Sequence, residues 1–195
     1  MIKKIVKDTL ALVIIALVFV LCLAVVYSLT KQPIADAKER EKVEAYREVC
    51  PGAETFEDYE VKTAESADGN IKVNEAQVAK DKDGAIVGYV VLVTTNQGYG
   101  GDITLSIGLE SNVVGYSISG VKVISMSETP GLGAKCTDEG WISQFKGISG
   151  EVAYTKDGKV KDNEIDAISG ATYTTEAVTD AVKFALKVLA GGLPQ

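Results

Sequence analysis

The 195-residue sequence contains no histidine and only three cysteines. Without histidine, a Ser-His-Asp or Cys-His catalytic site cannot form, haem cannot be ligated through imidazole, and most zinc sites are excluded. Cys22, Cys50 and Cys136 lie far apart and lack the paired spacing of a zinc or iron–sulfur site. Redox chemistry in this chain would therefore need an organic cofactor. Spacing alone leaves open whether Cys50 and Cys136 form a disulfide outside the cytoplasm.

Standard nucleotide-binding signatures are missing as well. The sequence has no G-x-x-x-x-G-K-[ST] motif, and the GYGG segment at residues 98–101 lacks the spacing and the following helix of a dinucleotide fingerprint. Strands and helices are not predicted to alternate along the chain, as a Rossmann or flavodoxin-type domain would require. These classes of nucleotide-binding fold are therefore excluded.

The net charge of −7 is unevenly distributed. The first thirty residues carry +2, from three lysines and one aspartate, which leaves −9 on the remainder. An acidic domain repels phosphate backbones, so we predict no nucleic-acid partner. It is also repelled by anionic lipid headgroups, which suits a domain that stands off a membrane.

One long apolar run lies near the N-terminus. Residues 10–29 carry no charge and read LALVIIALVFVLCLAVVYSL. As a helix they would span about 30 Å, the hydrocarbon thickness of a bilayer. A cleaved signal peptide is the main alternative, but the run exceeds the usual ~7–15 apolar residues and no A-x-A-like site follows it. The sequence therefore predicts a retained transmembrane helix in the lipid bilayer.

Lysine and arginine residues occur on both sides of this run, so their local count does not decide its orientation. A short basic N-terminus that stays inside while a long tail is translocated is the commoner arrangement. We therefore predict a single-pass protein of the cell (inner) membrane with an extracytoplasmic C-terminal domain. The predicted layout is a cytoplasmic N-terminus at residues 1–8, a transmembrane helix at 9–30, a juxtamembrane helix or linker at 31–50, and the extracytoplasmic domain at 51–195.

The segment after the apolar run is predicted to be helical. Pro33 is predicted to mark the exit from the membrane helix, and residues 34–49 are charged and rich in helix formers. We predict that this second helix ends at Cys50-Pro51-Gly52 and acts as a spacer between the bilayer and the domain.

The middle of the chain predicts antiparallel hairpins. The first has strands at residues 76–80 and 86–95 around a Lys82-Asp83-Gly84 turn. The second has strands at 103–109 and 113–119 around a turn at 110–112, and it runs on into 121–126. A third, shorter hairpin is predicted from residues 152–154 and Val160, around Asp157-Gly158.

The chain ends in a predicted helix over residues 175–189, because apolar positions there fall on one helix face. Thr174 or Thr175 is predicted to cap it, Glu176 to lie in its first turn, and Gly191-Gly192 to stop it. Hairpins followed by a terminal helix predict an α+β domain. Its sheet would be largely antiparallel, with a C-terminal helix, and the whole is preceded by one N-terminal transmembrane helix.

Two segments have the character of a binding site. Residues 128–133 (ETPGLG) directly follow a predicted strand. The ordinary interpretation is a type II turn, with Pro130 second and Gly131 third. A leucine between glycines would also let backbone approach a flat ring closely, with Leu132 as its apolar cover.

The second segment is DAISGAT at residues 166–172, just before the terminal helix. An ordinary helix-entry loop of small residues is one interpretation. The other is an anion site, because a helix N-terminus offers unpaired N–H groups and the positive end of the dipole. A phosphate attached at Thr172 would lie within about one turn of that terminus.

The D-x-x-S-G-A-T pattern resembles the motif at which a flavin transferase joins FMN through its phosphate to a threonine hydroxyl. With GYGG, ETPGLG, Trp141 and Phe145 in the same order, the chain resembles the FMN-binding domain of the G subunit of the Rnf electron-transport complex. It is similar, too, to the C subunit of the sodium-translocating NADH:quinone reductase, but its short length favours the Rnf member. One departure is Ser125-Met126-Ser127, where the family often has a histidine.

The resemblance implies a covalent FMN on Thr172, with Thr174 and Thr175 as competing attachment sites. Asp166, Ser169, Gly170 and Ala171 would shape the attachment loop and be read by the transferase. The ETPGLG and GYGG segments would line the isoalloxazine ring. The residues implied by these motifs are Glu128, Thr129, Gly131, Leu132, Tyr99, Gly100 and Gly101.

The resemblance also implies a function as an electron carrier, not catalytic alone, in a complex that couples ferredoxin:NAD electron transfer to ion translocation. Its partners would be the other membrane subunits, and a flavin transferase would mature it. The alternative is a membrane-tethered assembly or ligand-binding module of the same fold without flavin. An intact Thr172 favours the carrier, because a descendant without flavin would have no reason to keep it.

Overall fold

The computed structural model describes residues 2–60, 64–112, 115–158, 161 and 163–191. It comprises two compact units with the boundary between Glu41 and Lys42. The helices are α1 (Ile2–Val49), α2 (Glu139–Ile142) and α3 (Thr172–Leu189), with 3-10 helices at Gly133–Thr137 and Ser143–Phe145. The strands are β1 (Thr55–Asp58), β2 (Ile71–Lys80), β3 (Ile86–Thr95), β4 (Ile103–Asn112), β5 (Gly115–Ser125), β6 (Ala153–Thr155) and β7 (Glu164–Asp166).

Helix α1 is continuous and contains Pro33. A proline inside a helix removes one backbone hydrogen bond, but here it does not end the helix, so the predicted break at Pro33 is absent. One stretch of α1 is long and apolar enough to cross a membrane. Its mean hydropathy reaches 3.1 over eighteen residues, none of which is buried against protein. The helix ends at Val49, as the Cys50-Pro51-Gly52 sequence predicts.

The second unit is built on a five-stranded antiparallel sheet in the order β1-β2-β3-β4-β5, so each strand pairs with the next. This meander, together with α3, confirms the predicted α+β class. The hairpin around Lys82-Asp83-Gly84 is formed by β2 and β3. The turn predicted at residues 110–112 is wrong, because β4 continues to Asn112, which pairs with Gly115. Residues 113–114 lie outside the described residues.

The two faces of the sheet are both covered. Along β3, Val91 and Val93 belong to the main core, whereas Val90 and Leu92 belong to a smaller second core. Successive side chains of a strand point to opposite faces, so the two cores lie on opposite sides of the sheet. Helix α3 packs on the main core through the apolar face that the sequence predicts, including Val178, Ala181, Val182, Ala185, Val188 and Leu189.

The C-terminal end of α1, from Lys42 onward, covers the second core. Val49 lies against the cross-strand pair Gly108–Gly120, where a side chain on either glycine would crowd its backbone. The Ser119 hydroxyl donates a hydrogen bond of 2.5 Å to the Val49 carbonyl. The end of the predicted spacer helix is therefore a packed part of the domain, because Val49 and Tyr46 contribute to its core.

Cys50 and Cys136 are buried free thiols. Cys50 lies in the second core and Cys136 in the main core, so the sheet separates the two sulfur atoms. The structure therefore answers the question that spacing leaves open: this pair is not a disulfide.

The third predicted hairpin is wrong, because β6 and β7 pair in parallel, with Tyr154 opposite Ile165. Parallel strands cannot be joined by a tight turn, so Asp157-Gly158 is not a hairpin turn. Val160 lies outside the described residues. The pairing continues past β7, where the Ala167 N–H donates to the Thr155 carbonyl at 2.8 Å. The start of the DAISGAT segment is thus held as part of a sheet.

Candidate functional site

Helix α3 begins at Thr172, three residues before the predicted start. Its N-cap residue is Ala171, and no side chain caps it within the described part of the chain. The predicted capping by Thr174 or Thr175 is therefore wrong, because both residues already lie inside the helix. Glu176 falls just beyond the first turn. The first N–H groups of α3 have no intrahelical acceptor, as at every helix N-terminus.

The Thr175 hydroxyl holds the loop that enters the helix. It accepts a hydrogen bond from the Ile168 N–H at 3.0 Å and donates one to the Ala171 carbonyl at 3.0 Å. Thr175 is fully buried. Residues 168–171 are therefore tied at both ends to one side chain of the helix that follows them.

The backbone of Asp166 is held on both sides. Its N–H donates to the Gln144 side-chain carbonyl at 2.7 Å, and its carbonyl accepts the Trp141 indole N–H at 2.8 Å. The Trp141 ring packs edge-on against Phe145, with ring centroids 5.5 Å apart. Trp141 therefore holds the start of the loop, and Phe145 packs against Trp141. Gln144 has the same role, although no motif of the sequence indicates it.

Thr172 is the accessible hydroxyl at the start of α3. It is half-buried, and within the described residues its hydroxyl makes no hydrogen bond. Thr174 and Thr175 are 1% and 0% exposed, and both hydroxyls are engaged. Thr172 borders a cavity of about 470 Å³ that is also lined by Lys156, Asp157, Gly158, Asp166, Ala167, Ile168, Ser169 and Gly170.

The ETPGLG segment contacts the DAISGAT loop. The Leu132 N–H donates to the Thr129 carbonyl at 3.2 Å across Pro130-Gly131, and Gly131 has a φ of +78°, which a type II turn requires at that position. The turn directs Leu132 to Gly170, where a Cβ would lie 3.3 Å from Leu132 Cδ2. Two segments that are far apart in the sequence are thus adjacent in the fold.

Glu128 joins the GYGG segment to α3. Its buried carboxylate accepts a hydrogen bond from the Gly100 N–H at 3.2 Å and another from the Thr174 hydroxyl at 3.0 Å. A side chain on Gly133 would collide with this carboxylate, and one on Gly100 would collide with the Ser127 carbonyl. Close packing therefore requires glycine at these positions.

Two exposed aromatic rings meet at this junction. Tyr99 and Tyr173 are 75% and 68% exposed, with ring centroids 6.3 Å apart and planes 33° apart. Leu132, which contacts the adjacent loop, is also 46% exposed. Tyr173 was missed by the sequence analysis, although its place directly after Thr172 is a signal that could have found it.

The chemistry of the buried thiol beside Glu128 is suppressed. Burial, and then the negative charge of Glu128, raise the pKa of the Cys136 thiol to about 11. Its sulfur lies 3.6 Å from that of Met126. Cys136 is therefore a packing residue at neutral pH and not a nucleophile.

Comparison with known proteins decides the family. The family model "RnfG N-terminal region" matches residues 1–49, and "FMN-binding domain" matches residues 98–187. The chain is 33% identical to the G subunit of the Na⁺-translocating ferredoxin:NAD⁺ oxidoreductase complex of Acetobacterium woodii, over 95% of this chain and 92% of that protein. The chain belongs to the RnfG family.

A second relative and a solved structure are also similar to the chain. The G subunit of the ion-translocating oxidoreductase complex of Methanosarcina acetivorans is 35% identical over 94% of each chain. The crystal structure of Shewanella oneidensis NqrC is similar in fold, with a TM-score of 0.51 and 24% identity. That similarity covers 63% of this chain and 61% of the NqrC chain.

The site of this RnfG-family chain fits FMN. A phosphate needs N–H donors, which the start of α3 offers. The lining of the adjoining cavity adds the positive charge of Lys156, beside the carboxylates of Asp157 and Asp166. A flat ring needs apolar walls and close backbone approach, which Tyr99, Tyr173 and Leu132 beside the glycines provide. The cavity next to Thr172 lies within the size range of small-molecule sites.

Proposed function

We propose that this RnfG-family chain is a membrane-anchored electron carrier whose FMN is bonded through its phosphate to the Thr172 hydroxyl. The observation that carries the proposal is the difference among three neighbouring threonines. Thr174 and Thr175 are buried and hydrogen-bonded, whereas Thr172 borders the open cavity with a free hydroxyl among the described residues. A transferase would therefore reach only the Thr172 hydroxyl without unfolding the helix.

The residues around Thr172 would hold the phosphate and orient the ring. The free N–H groups and the dipole of α3 favour a negative group at this end of the helix. Lys156 adds a positive charge to the lining of the cavity. The loop is held by Thr175, Trp141 and Gln144, so the attachment point is preorganised. When bound, FMN would supply the electron transfer, and the protein would set the position and environment of the ring.

We further propose that the carrier works inside a larger complex. The Acetobacterium woodii relative is named as a subunit of a Na⁺-translocating ferredoxin:NAD⁺ oxidoreductase. By this similarity, the partners of our chain are the other membrane subunits of an Rnf-type complex that couples ferredoxin:NAD electron transfer to ion translocation. Covalent attachment suits a domain outside the cytoplasm, where free FMN would diffuse away. A flavin transferase would make the attachment.

The test is peptide mass spectrometry of residues 166–183 after co-expression with a flavin transferase. We expect an FMN adduct on Thr172 and ultraviolet fluorescence from the denatured protein band. Thr172→Ala abolishes both, whereas Thr172→Ser, the matched control, keeps a hydroxyl at the same helix position and retains an adduct. An adduct on Thr174 or Thr175 would overturn the site assignment alone. A dark, unmodified wild-type protein would overturn the carrier and favour the flavin-free module.

Sidedness has a separate test. Asp83 lies in the exposed turn between β2 and β3, and Cys50 and Cys136 are buried, so an introduced thiol would be the reactive one of the domain. We expect Asp83→Cys to react with a membrane-impermeant maleimide in intact cells, with no need for lysis. Labelling only after lysis would place the domain in the cytoplasm.

A further inference from the structure

Glu128 has an unusual environment for a carboxylate. It is 8% exposed, and no lysine or arginine forms an ion pair with it within the described residues. Buried acidic groups are costly unless they are paired or hydrogen-bonded. Here both oxygen atoms are used: Oε1 by the Gly100 N–H and Oε2 by the Thr174 hydroxyl. The carboxylate therefore faces protein groups and not the open cavity.

The space around this carboxylate is built for it. A Cβ on Gly98 would lie 2.6 Å from Glu128 Oε1, and one on Gly133 would collide with Oε2. The Cβ on Gly133 would also lie 2.7 Å from the Thr174 hydroxyl oxygen. Gly98 and Gly133, which lie in different segments, thus leave just enough room for the Glu128 side chain. A solvent-exposed carboxylate would not need so close a fit.

The two groups that Glu128 binds are each adjacent in sequence to an exposed aromatic residue. Gly100 follows Tyr99, and Thr174 follows Tyr173. The rings of these tyrosines are 6.3 Å apart, although the two residues lie in distant parts of the sequence. No hydrogen bond between the two tyrosine hydroxyls holds them together in the described part of the chain. Glu128 forms a hydrogen-bonded link between the two segments, through the Gly100 N–H and the Thr174 hydroxyl.

We propose that Glu128 is a positioning residue that brings Tyr99 and Tyr173 together and so builds the ring platform before any flavin is attached. It acts through the Gly100 N–H and the Thr174 hydroxyl and does not itself contact the cofactor. The role of the tyrosine pair as a surface for the flavin ring rests on the proposed function, whereas the pairing of the two tyrosines by Glu128 does not.

Four variants separate the hydrogen bonds from the charge. Thr174→Val removes the hydroxyl and leaves Glu128 among its glycines, whereas Thr174→Ser keeps the hydroxyl and is the matched control. Glu128→Ala removes both contacts. Glu128→Gln keeps an acceptor for Gly100 and supplies an amide donor toward Thr174, so it retains the geometry without the charge.

The first measurement uses the flavin-free, full-length protein in detergent, labelled with 3-fluorotyrosine. The ¹⁹F resonances of Tyr99 and Tyr173 are assigned with Tyr99→Phe and Tyr173→Phe. We expect Thr174→Val and Glu128→Ala to move both resonances toward the position of free fluorotyrosine, and Thr174→Ser and Glu128→Gln to leave them in place. Unchanged resonances in Thr174→Val would overturn the proposal. If Glu128→Ala does not fold, the Thr174 pair decides.

The second measurement is the rate of FMN attachment by a flavin transferase. We expect a decrease on the order of tenfold for Thr174→Val, with Thr174→Ser close to wild type. Equal rates for the two variants would contradict the platform role while leaving the carrier intact. Absence of FMN from the wild type would instead sink the carrier function, and the fluorine measurement would still decide whether Glu128 pairs the tyrosines.

Discussion

The Trp141 indole N–H donates a 2.8 Å hydrogen bond to the carbonyl of Asp166, the first residue of the attachment loop. Removing one partner of a partly buried hydrogen bond costs about 1–3 kcal/mol. We therefore expect Trp141→Phe to lower the free energy of unfolding by that amount and to slow FMN attachment. Trp141 is the single tryptophan of the chain, so unfolding in urea must be followed by circular dichroism. A variant as stable as wild type would show that the bond contributes nothing.

The buried Thr175 hydroxyl should matter for stability and not as an attachment site. Thr175→Val leaves the Ile168 N–H without an acceptor, and we expect a loss of about 1–3 kcal/mol in the free energy of unfolding. Thr175→Ser keeps the hydroxyl and should lose much less. Thermal unfolding of the two variants side by side measures the difference. Equal stabilities would mean that the loop is held by other contacts.

The packing of Val49 on the sheet can be tested at one glycine. A Cβ at Gly120 would lie 3.0 Å from Val49 Cα, so in Gly120→Ala the backbone at Val49 must give by a few tenths of an ångström. We expect a destabilisation of about 1–3 kcal/mol, as for other overpacked positions. The control is Gly140→Ala in α2, where a Cβ meets nothing within 4 Å and alanine favours helix. If urea unfolding gives Gly140→Ala a lower free energy of unfolding than Gly120→Ala, this packing of Val49 on the sheet is contradicted.

The two buried thiols predict a loss of stability at high pH. Burial raises the pKa of Cys50 to about 11, with a further contribution from Glu110, and the pKa of Cys136 is also about 11. The ordinary value is 9.0. Between pH 9 and 11 the unfolded chain loses thiol protons that the folded chain keeps. The contribution of the two thiols to the free energy of unfolding is therefore at its maximum below about pH 9 and decreases as the pH rises toward about 11.

Urea unfolding at a series of pH values from about 8 to about 11 checks this dependence. We expect the double variant Cys50→Ala, Cys136→Ala to start from a lower stability, because it leaves cavities, but to show a shallower decline above about pH 9. Parallel curves for wild type and double variant would show that other groups cause the alkaline loss.

The sequence located the apolar face of α3 but not the residue at which the helix begins. The apolar face at Val178, Ala181 and Val182 was predicted because helical periodicity is a local property. The start of the helix was misplaced by three residues. Its first turn is stabilised by Glu128, which lies 46 residues away and binds Thr174. A contact between residues so far apart in the sequence produces no local pattern from which the start of the helix could be predicted.

The parallel pair of β6 and β7 shows the same limit. The sequence Asp157-Gly158 is typical of a hairpin turn, which would make the two strands antiparallel. In the structure Tyr154 pairs with Ile165 and Thr155 with Asp166, and the strands are parallel. The continuity of α1 through Pro33 was also missed, because proline propensity favours a break.

The sequence by itself determined the apolar helix, the largely antiparallel character of the sheet, the terminal helix and the three motifs of the site, because periodicity, turn residues and motif order are local properties of the chain. Only the tertiary structure decided which threonine hydroxyl borders the cavity, which carboxylate is buried between glycines, and that Tyr173 lies beside Tyr99. The physical reason is that burial and hydrogen-bond partnership depend on residues far apart in sequence, and these are brought together only when the sheet and α3 pack.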